Sequence, residues 1–138
     1  MTLRAPETRT AVRSLEGKIA VVTGGATGIG RATALLFAEE GACVVVADIA
    51  DADGRRTADD IGAAGGTASF VRVDVRSAED CVALVDAAIG RHGRLDIAFN
   101  NAGFSGTTSL TEDQGLAQWQ HVLDVNLTGV FNSMVPQL

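Results

Sequence analysis

The feature that most constrains this chain is an apolar run that ends in closely spaced glycines and passes directly into a helical pattern. The run covers residues 17–23, and Gly24, Gly28 and Gly30 follow it. Glycine lets a strand turn sharply and lets backbone N–H groups approach a bound anion, because it has no Cβ. The sequence therefore predicts a strand and a helix whose N-terminus can hold the pyrophosphate of a dinucleotide. A plain strand-to-helix turn also favours glycine, and the spacing Gly-x-x-x-Gly-x-Gly is one residue wider than the Gly-x-Gly-x-x-Gly fingerprint.

The rest of the chain alternates between strand and helix patterns. Apolar runs predict further strands at 42–48, 68–73 and 95–100. Helical periodicity predicts helices at 30–40 and 51–64, and a third that Ser77 caps. Such alternation is typical of right-handed βαβ units and therefore of an α/β fold with a parallel sheet. Residues 1–16 show no periodicity, so we expect a flexible leader followed by one domain at 17–138.

A last helix is predicted from a stripe of large, mostly apolar side chains near the end of the sequence. The stripe comprises Trp119, Val122, Leu123, Asn126, Leu127, Val130, Phe131, Met134 and Leu138. Asn126 interrupts it, and a buried amide needs hydrogen-bond partners. Two interpretations are open: a satisfied core asparagine, or a helix that bends here and frees a carbonyl for water. Gly129, one turn further on, makes the second easier.

Polar side chains follow the predicted strands at the point where each one ends. Asp48 closes the second strand, where a carboxylate can accept hydrogen bonds from both ribose hydroxyls of adenosine and would repel a 2′-phosphate. This position favours NAD over NADP, and the alternative role is to cap the following turn. Asp74, followed by Val75, closes the third strand, where it can meet the adenine amino group or simply form a turn.

Two amides and two small residues follow the fourth strand. Asn101 is interpreted as a brace for the loop, whereas Asn100, Ala102 and Gly103 are candidates for cofactor contact, since small residues let the backbone lie against a flat ligand.

Composition excludes several classes of protein. The net charge is −6 with a single lysine, which disfavours nucleic acid and anionic membranes as partners. No apolar run approaches the ~20 residues that span a bilayer, and no secretory signal is evident. Two cysteines with buried patterns and no His/Cys cluster predict neither a disulfide framework nor a metal site, and indicate a reducing, cytoplasmic setting.

These motifs stand in an order and spacing that closely resemble the short-chain dehydrogenase/reductase family. The resemblance covers about residues 15–135 and implies a doubly wound Rossmann-type fold with strand order 3-2-1-4, an NAD(P) cofactor and hydride exchange with a small alcohol or ketone. By position, Gly24, Thr27, Gly28, Ile29 and Gly30 would line the pyrophosphate. Asp48 would bind the ribose, Asp74 with Val75 the adenine, and Asn100, Ala102 and Gly103 would lie along the cofactor. Asn126 matches the family's helix asparagine, whose main-chain carbonyl holds a water in the proton relay.

The sequence departs from the family in one respect. The family's acid/base tyrosine and its lysine partner, in the pattern Tyr-x-x-x-Lys, have no counterpart here, since the chain contains no tyrosine. We therefore expect these residues to be the cofactor-binding half of such an enzyme, inactive alone and prone to self-association through an uncovered sheet edge and the last helix. A non-catalytic NAD-binding module is the alternative, and an S-adenosylmethionine-dependent transferase is disfavoured by the Asn100–Gly103 motif and by Asn126.

Overall fold

The computed structural model describes residues 13–138, and a parallel sheet of four strands lies at its centre. The strands are β1 (Ile19–Thr23), β2 (Cys43–Asp48), β3 (Thr67–Arg72) and β4 (Ile97–Asn100). Their order across the sheet is β3-β2-β1-β4. This confirms the α/β fold class and the predicted strand order.

Helices connect the strands and cover both faces of the sheet. They are α1 (Gly28–Glu39), α2 (Asp51–Ala63) and α3 (Ala78–His92), followed after β4 by α4 (Leu116–Leu123) and α5 (Gly129–Met134). A π-helical turn, Asp124–Thr128, joins α4 to α5. No helix of residues 13–138 is long and apolar enough to cross a membrane.

Alternate residues of the central strands enter two separate hydrophobic layers. Val22 and Val46 pack on one face with Ala34 of α1 and Ile61 of α2. Neighbouring side chains of the same strands point to the other face, where they meet Leu84 of α3 and its surroundings. Strands buried on both faces explain why the sequence shows continuous apolar runs rather than alternation.

The register brings the polar strand ends to one edge of the sheet. Thr23 at the end of β1 is paired with Ala47 of β2 on one side and with Asn100 of β4 on the other. Asp48, the last residue of β2, is paired with Arg72 of β3. Side chains that are far apart in sequence therefore gather above the carboxyl ends of the strands.

The described chain begins in a turn that is attached to the domain. The Ser14 backbone N–H donates to Glu40 Oε2 at 2.7 Å, and the Leu15 N–H donates to the Glu40 carbonyl at 2.9 Å. Leu15 also packs against the core beside α1. The predicted leader over 1–16 thus gives way to ordered chain before residue 17, whereas residues 1–12 lie outside the described residues.

Part of the apolar stripe of the last helical segment is exposed, in agreement with the expectation that this helix leaves apolar surface uncovered. Leu127 and Phe131 are 65% and 66% exposed, while Gly129 and Ser133 form the buried face. A Cβ on Gly129 would lie 2.6 Å from Val75 Cγ2, so glycine is needed where α5 meets the loop after β3. The large apolar side chains are therefore directed away from the domain, because close backbone approach decides the orientation of this helix.

The contact between α2 and the sheet gives a first prediction. Gly54 of α2 faces Phe70 of β3 so closely that a Cβ would overlap the ring, whereas Gly62 of the same helix has nothing within 4 Å of its Cβ position. Gly54→Ala is expected to lower the free energy of unfolding by about 1–3 kcal/mol through overpacking. Gly62→Ala, the matched control, is expected to raise it by roughly 0.5 kcal/mol through helix propensity. Urea unfolding checks both, and equal effects of the two substitutions would contradict the packing.

Candidate cofactor-binding site

A cavity of about 690 Å³ opens above the carboxyl ends of the strands. It lies where the chain connections diverge on either side of β1, which is the usual ligand position in open α/β sheets. Most residues proposed from the sequence line it: Gly24, Thr27, Gly28, Ile29, Asp48, Asp74, Val75, Ala102 and Gly103. Gly30, Asn100 and Asn126 are not among the lining residues.

The glycine turn forms one wall of the cavity. Gly24 has φ +66°, and a Cβ there would lie 2.9 Å from Ala102 Cα. Gly28 has φ +53° and nothing within 4 Å of its Cβ position, so this side of the turn is open space. Gly30 packs behind the turn, against the Gly24 carbonyl. The turn therefore combines a close approach at Gly24 with an open cradle at Gly28.

The N-terminus of α1 lies at this cradle, and the first backbone N–H groups of a helix have no intrahelical partner. Thr27, the N-cap residue, makes no side-chain cap hydrogen bond, and the first turn of α1 carries no acidic residue. A helix N-terminus with free N–H groups and the positive end of the helix dipole favours an anion. The open space, the donors and the dipole together fit a phosphate group.

Asp48 performs the structural role considered for it and also lines the cavity. Its Oδ2 accepts from the Ala26 N–H at 3.0 Å, and its Oδ1 accepts from the Ala50 N–H at 2.9 Å. The Thr57 hydroxyl donates to the carbonyl of Ala26 at 3.3 Å. Ala26 lies in the middle of the glycine turn, and both its backbone N–H and its carbonyl are therefore held by hydrogen bonds. A carboxylate has lone pairs beyond these two bonds, which leaves capacity for hydroxyl donors from a ligand.

Asp74 forms a turn at the end of β3 and an ion pair across it. Its carboxylate accepts from the Arg76 backbone N–H at 3.0 Å and from Arg76 Nε at 2.9 Å. The guanidinium hydrogen bonds hold the pKa of the Asp74 carboxyl below its usual range. Arg76 NH1 also lies 3.3 Å from His121 Nδ1, and the His121 ring lies 4.9 Å from the Phe104 ring.

The two asparagines at the end of β4 have different partners. Asn101 donates from Nδ2 to the carbonyls of Thr23 and Gly24 at 3.1 and 3.3 Å, which confirms its interpretation as a brace. Asn100 instead exchanges two amide hydrogen bonds with Gln137, at 2.9 and 3.0 Å. Contact between Asn100 and a cofactor stays a prediction, and this pairing does not favour it.

Asn126 lies in the π-helical turn and is exposed, not buried in an apolar stripe. Its amide is nevertheless fully engaged: Oδ1 accepts from the Phe104 N–H at 3.1 Å, and Nδ2 donates to the carbonyls of Phe104 and Val122 at 2.8 and 2.9 Å. The helix leaves α geometry here, as the bending interpretation predicted. A carbonyl held for a water remains a prediction.

Sequence reasoning missed several residues of the cavity. The structure adds Thr23, Ile49, Val73, Arg76, Phe104, His121 and Val125 to the lining. Arg76 carried a weak signal, since it follows Asp74 directly. His121 carried none, because only the path of α4 brings it to the end of β3. Among residues 13–138, no three His, Cys, Asp or Glu side chains are grouped as metal ligands would be.

The fold and this cavity define an α/β protein of the dinucleotide-binding type. A model of the family described as short chain dehydrogenase matches residues 18–137, and the chain belongs to this family.

Individual relatives agree with the family match. The chain is 43% identical to a cyclohexanol dehydrogenase of Acinetobacter sp. (strain SE19), over 85% of this chain and 47% of the relative. It is 42% identical to a mitochondrial borneol dehydrogenase of Lavandula x intermedia, over 88% and 46%. A crystal structure of a short-chain type dehydrogenase/reductase from Mycobacterium marinum superimposes with a TM-score of 0.86 at 36% identity, covering 91% of this chain and 51% of that one. The chain thus spans about half the length of the relatives it matches.

The ion pair at the end of β3 gives a prediction on pH. Because the folded-state pKa of Asp74 is lowered, its ionisation stabilises the fold above its unfolded pKa, and this contribution is lost as the pH falls through the folded value. Arg76→Gln is expected to lower the free energy of unfolding at pH 7, with the deficit shrinking as the pH falls below about 4. Urea unfolding between pH 7 and pH 3 checks this. A deficit that stays constant across that range would contradict the assignment.

Proposed function

We propose that residues 17–138 bind NAD for an oxidoreductase that exchanges hydride with a secondary alcohol or ketone. The observation that carries this proposal is the open cradle at Gly28, which faces the unpaired donors of α1 in a cavity that also holds the Asp48 carboxylate. Membership of the short chain dehydrogenase family supports the reaction class.

The cavity residues fit the two halves of the cofactor in different ways. The Gly24–Gly30 turn and the N-terminus of α1 would hold the pyrophosphate. Asp48 would accept from the adenosine ribose hydroxyls, and Asp74 with Val75 would border the adenine. Ala102 and Gly103 are small residues, which would leave room for the cofactor to continue past the loop after β4 toward its nicotinamide end. When bound, NAD supplies the hydride acceptor.

The remaining steps concern a proton. We assign the backbone carbonyl of Asn126 to holding a water of the proton relay, because its helix leaves α geometry at this residue. The acid/base group that would act on the substrate oxygen is a tyrosine in the family, and the 138 residues contain none. Turnover is therefore proposed for the protein as a whole and not for these residues acting alone.

Substrate, assembly and compartment are each proposed from a separate observation. Relatives named for cyclohexanol and borneol, both secondary alcohols, support a small alcohol or ketone as substrate. The exposed side chains of Leu127 and Phe131 support a homo-oligomer. The two free cysteines support a reducing compartment, for which we propose the cytoplasm.

The choice of NAD over NADP generates a prediction at Asp48. Ile49, which follows it, lines the cavity and offers no charge to a 2′-phosphate. Asp48→Asn removes the negative charge and keeps one acceptor, so the preference for NAD over NADP is expected to fall roughly tenfold or more. Asp53→Asn, which removes a charge on α2 outside the cavity, should leave the preference unchanged. Fluorescence titration with NADH and NADPH measures both variants; tighter binding of NADPH by the unmodified protein would refute the assignment.

The test of the function compares two glycines of similar conformation. Gly28 and Gly93 both have positive φ, 53° and 78°, and both have nothing within 4 Å of the Cβ position. Valine strains the backbone at either position, but only at Gly28 would its methyl groups occupy the phosphate space. Gly28→Val is expected to weaken NADH binding about 100-fold or more, while Gly93→Val binds as the unmodified protein does.

The same two substitutions are then assayed in the protein as a whole, for which turnover is proposed, by following NAD-dependent oxidation of secondary alcohols through the absorbance of NADH. Turnover that is lost in Gly28→Val and retained in Gly93→Val supports an oxidoreductase. Binding without turnover on any alcohol or ketone would favour the non-catalytic NAD-binding module. Equal NADH affinity in the two variants would refute the cradle.

A further inference from the structure

The segment that borders the adenine end of the cavity rests on α5. Val75 and Arg76 line the cavity and follow directly after Asp74. Gly129, at the start of α5, is buried, and a Cβ there would lie 2.6 Å from Val75 Cγ2. The backbone of α5 therefore packs directly against this segment at Val75.

Asn132 ties the segment to α5 through its side chain. Its Nδ2 donates to the carbonyl of Val75 at 3.1 Å and to the carbonyl of Arg76 at 3.1 Å. These two bonds use both amide hydrogens of one side chain on two successive backbone carbonyls. Asn132 is partly buried and does not line the cavity, so it can act on a ligand only through the segment that it holds.

The segment is held from the other side as well. The Arg76 guanidinium binds the Asp74 carboxylate and lies 3.3 Å from His121 Nδ1 on α4. Asp74 and Val75 therefore have little freedom to move. The carbonyls of Val75 and Arg76 are held by Asn132 of α5, and the Arg76 side chain is held beside α4. A site that recognises a flat base through one carboxylate and a short stretch of backbone needs these atoms to stay in place. A displacement of about 1 Å is enough to remove a hydrogen bond.

We infer that Asn132 is a positioning residue for the adenine half of the cofactor. This inference rests on the proposed function, since it takes the ligand of the cavity to be NAD. Loss of the amide would leave the Val75 and Arg76 carbonyls to water and release the segment, without altering the glycine turn that holds the pyrophosphate.

The test measures the two halves of the cofactor separately. AMP and nicotinamide mononucleotide are each used to displace NADH, followed by fluorescence, from the unmodified protein and from Asn132→Ala. The inference predicts that the inhibition constant of AMP rises roughly tenfold while that of the mononucleotide changes less than about twofold. Asn132→Leu keeps the side-chain volume but has no donor, and the same change in the two inhibition constants is expected of it. If one of the two variants is thermally labile, the other still tests the inference.

Gln120→Leu is the control. It also removes an amide hydrogen bond from a helix of the same region, in which Gln120 Nε2 donates to Asp124 Oδ1 at 2.8 Å, but this bond lies on the exposed surface and does not reach the segment after β3. It should leave the ratio of the two inhibition constants unchanged.

Unchanged AMP inhibition in both Asn132 variants would overturn the inference, as would equal weakening of AMP and mononucleotide. Failure of the unmodified protein to bind NADH would instead overturn the proposed function, and the inference with it.

Discussion

The candidate site depends on how closely the end of β1 approaches the loop after β4. The Thr23 hydroxyl accepts from the backbone N–H groups of Asn101 and Ala102 at 3.0 and 3.1 Å, and the Asn101 amide donates back to the carbonyls of Thr23 and Gly24. This reciprocal bridge closes the sheet edge at the point where the chain must turn. Any side chain at Gly24 would force it apart, since its Cβ would lie 2.9 Å from Ala102 Cα. The shape of the cavity floor follows from this bridge.

The two ends of the cavity differ in charge. The N-terminus of α1 offers positive potential and unpaired donors at the glycine turn. Asp48 places a carboxylate at the end of β2. This carboxylate accepts hydrogen bonds from the Ala26 N–H in the glycine turn and from the Ala50 N–H in the loop after β2. Asp74 is neutralised in part by Arg76, whose hydrogen bonds lower the pKa of the Asp74 carboxyl and so keep the pair ionised further into the acid range. A ligand with an anionic centre and a polar, uncharged end matches this distribution.

The C-terminal helices show what pattern reasoning leaves open. Amphipathic periodicity identified the stripe from Trp119 to Leu138, part of which is exposed as expected, but it did not indicate that Gly129 and Ser133 would form the buried face of α5. A hydrophobic stripe identifies a surface that favours burial, but it does not say which partner covers it. Here the backbone of α5 comes too close to Val75 for a large side chain, so geometry and not hydrophobicity decides the orientation.

The amino-acid sequence by itself determined the strand and helix alternation, the parallel sheet and half of the cavity lining. Those features depend on local rules: buried apolar runs, glycine at a turn, and acidic residues where strands end. Only the tertiary structure decided the rest. It directed Asn100 toward Gln137 instead of the cavity, brought His121 beside Arg76, and set the Asn132 amide on two carbonyls across from its helix. These contacts join residues that lie between 37 and 57 positions apart in the sequence, and no local periodicity encodes them, because they arise from the crossing of helices over a twisted sheet.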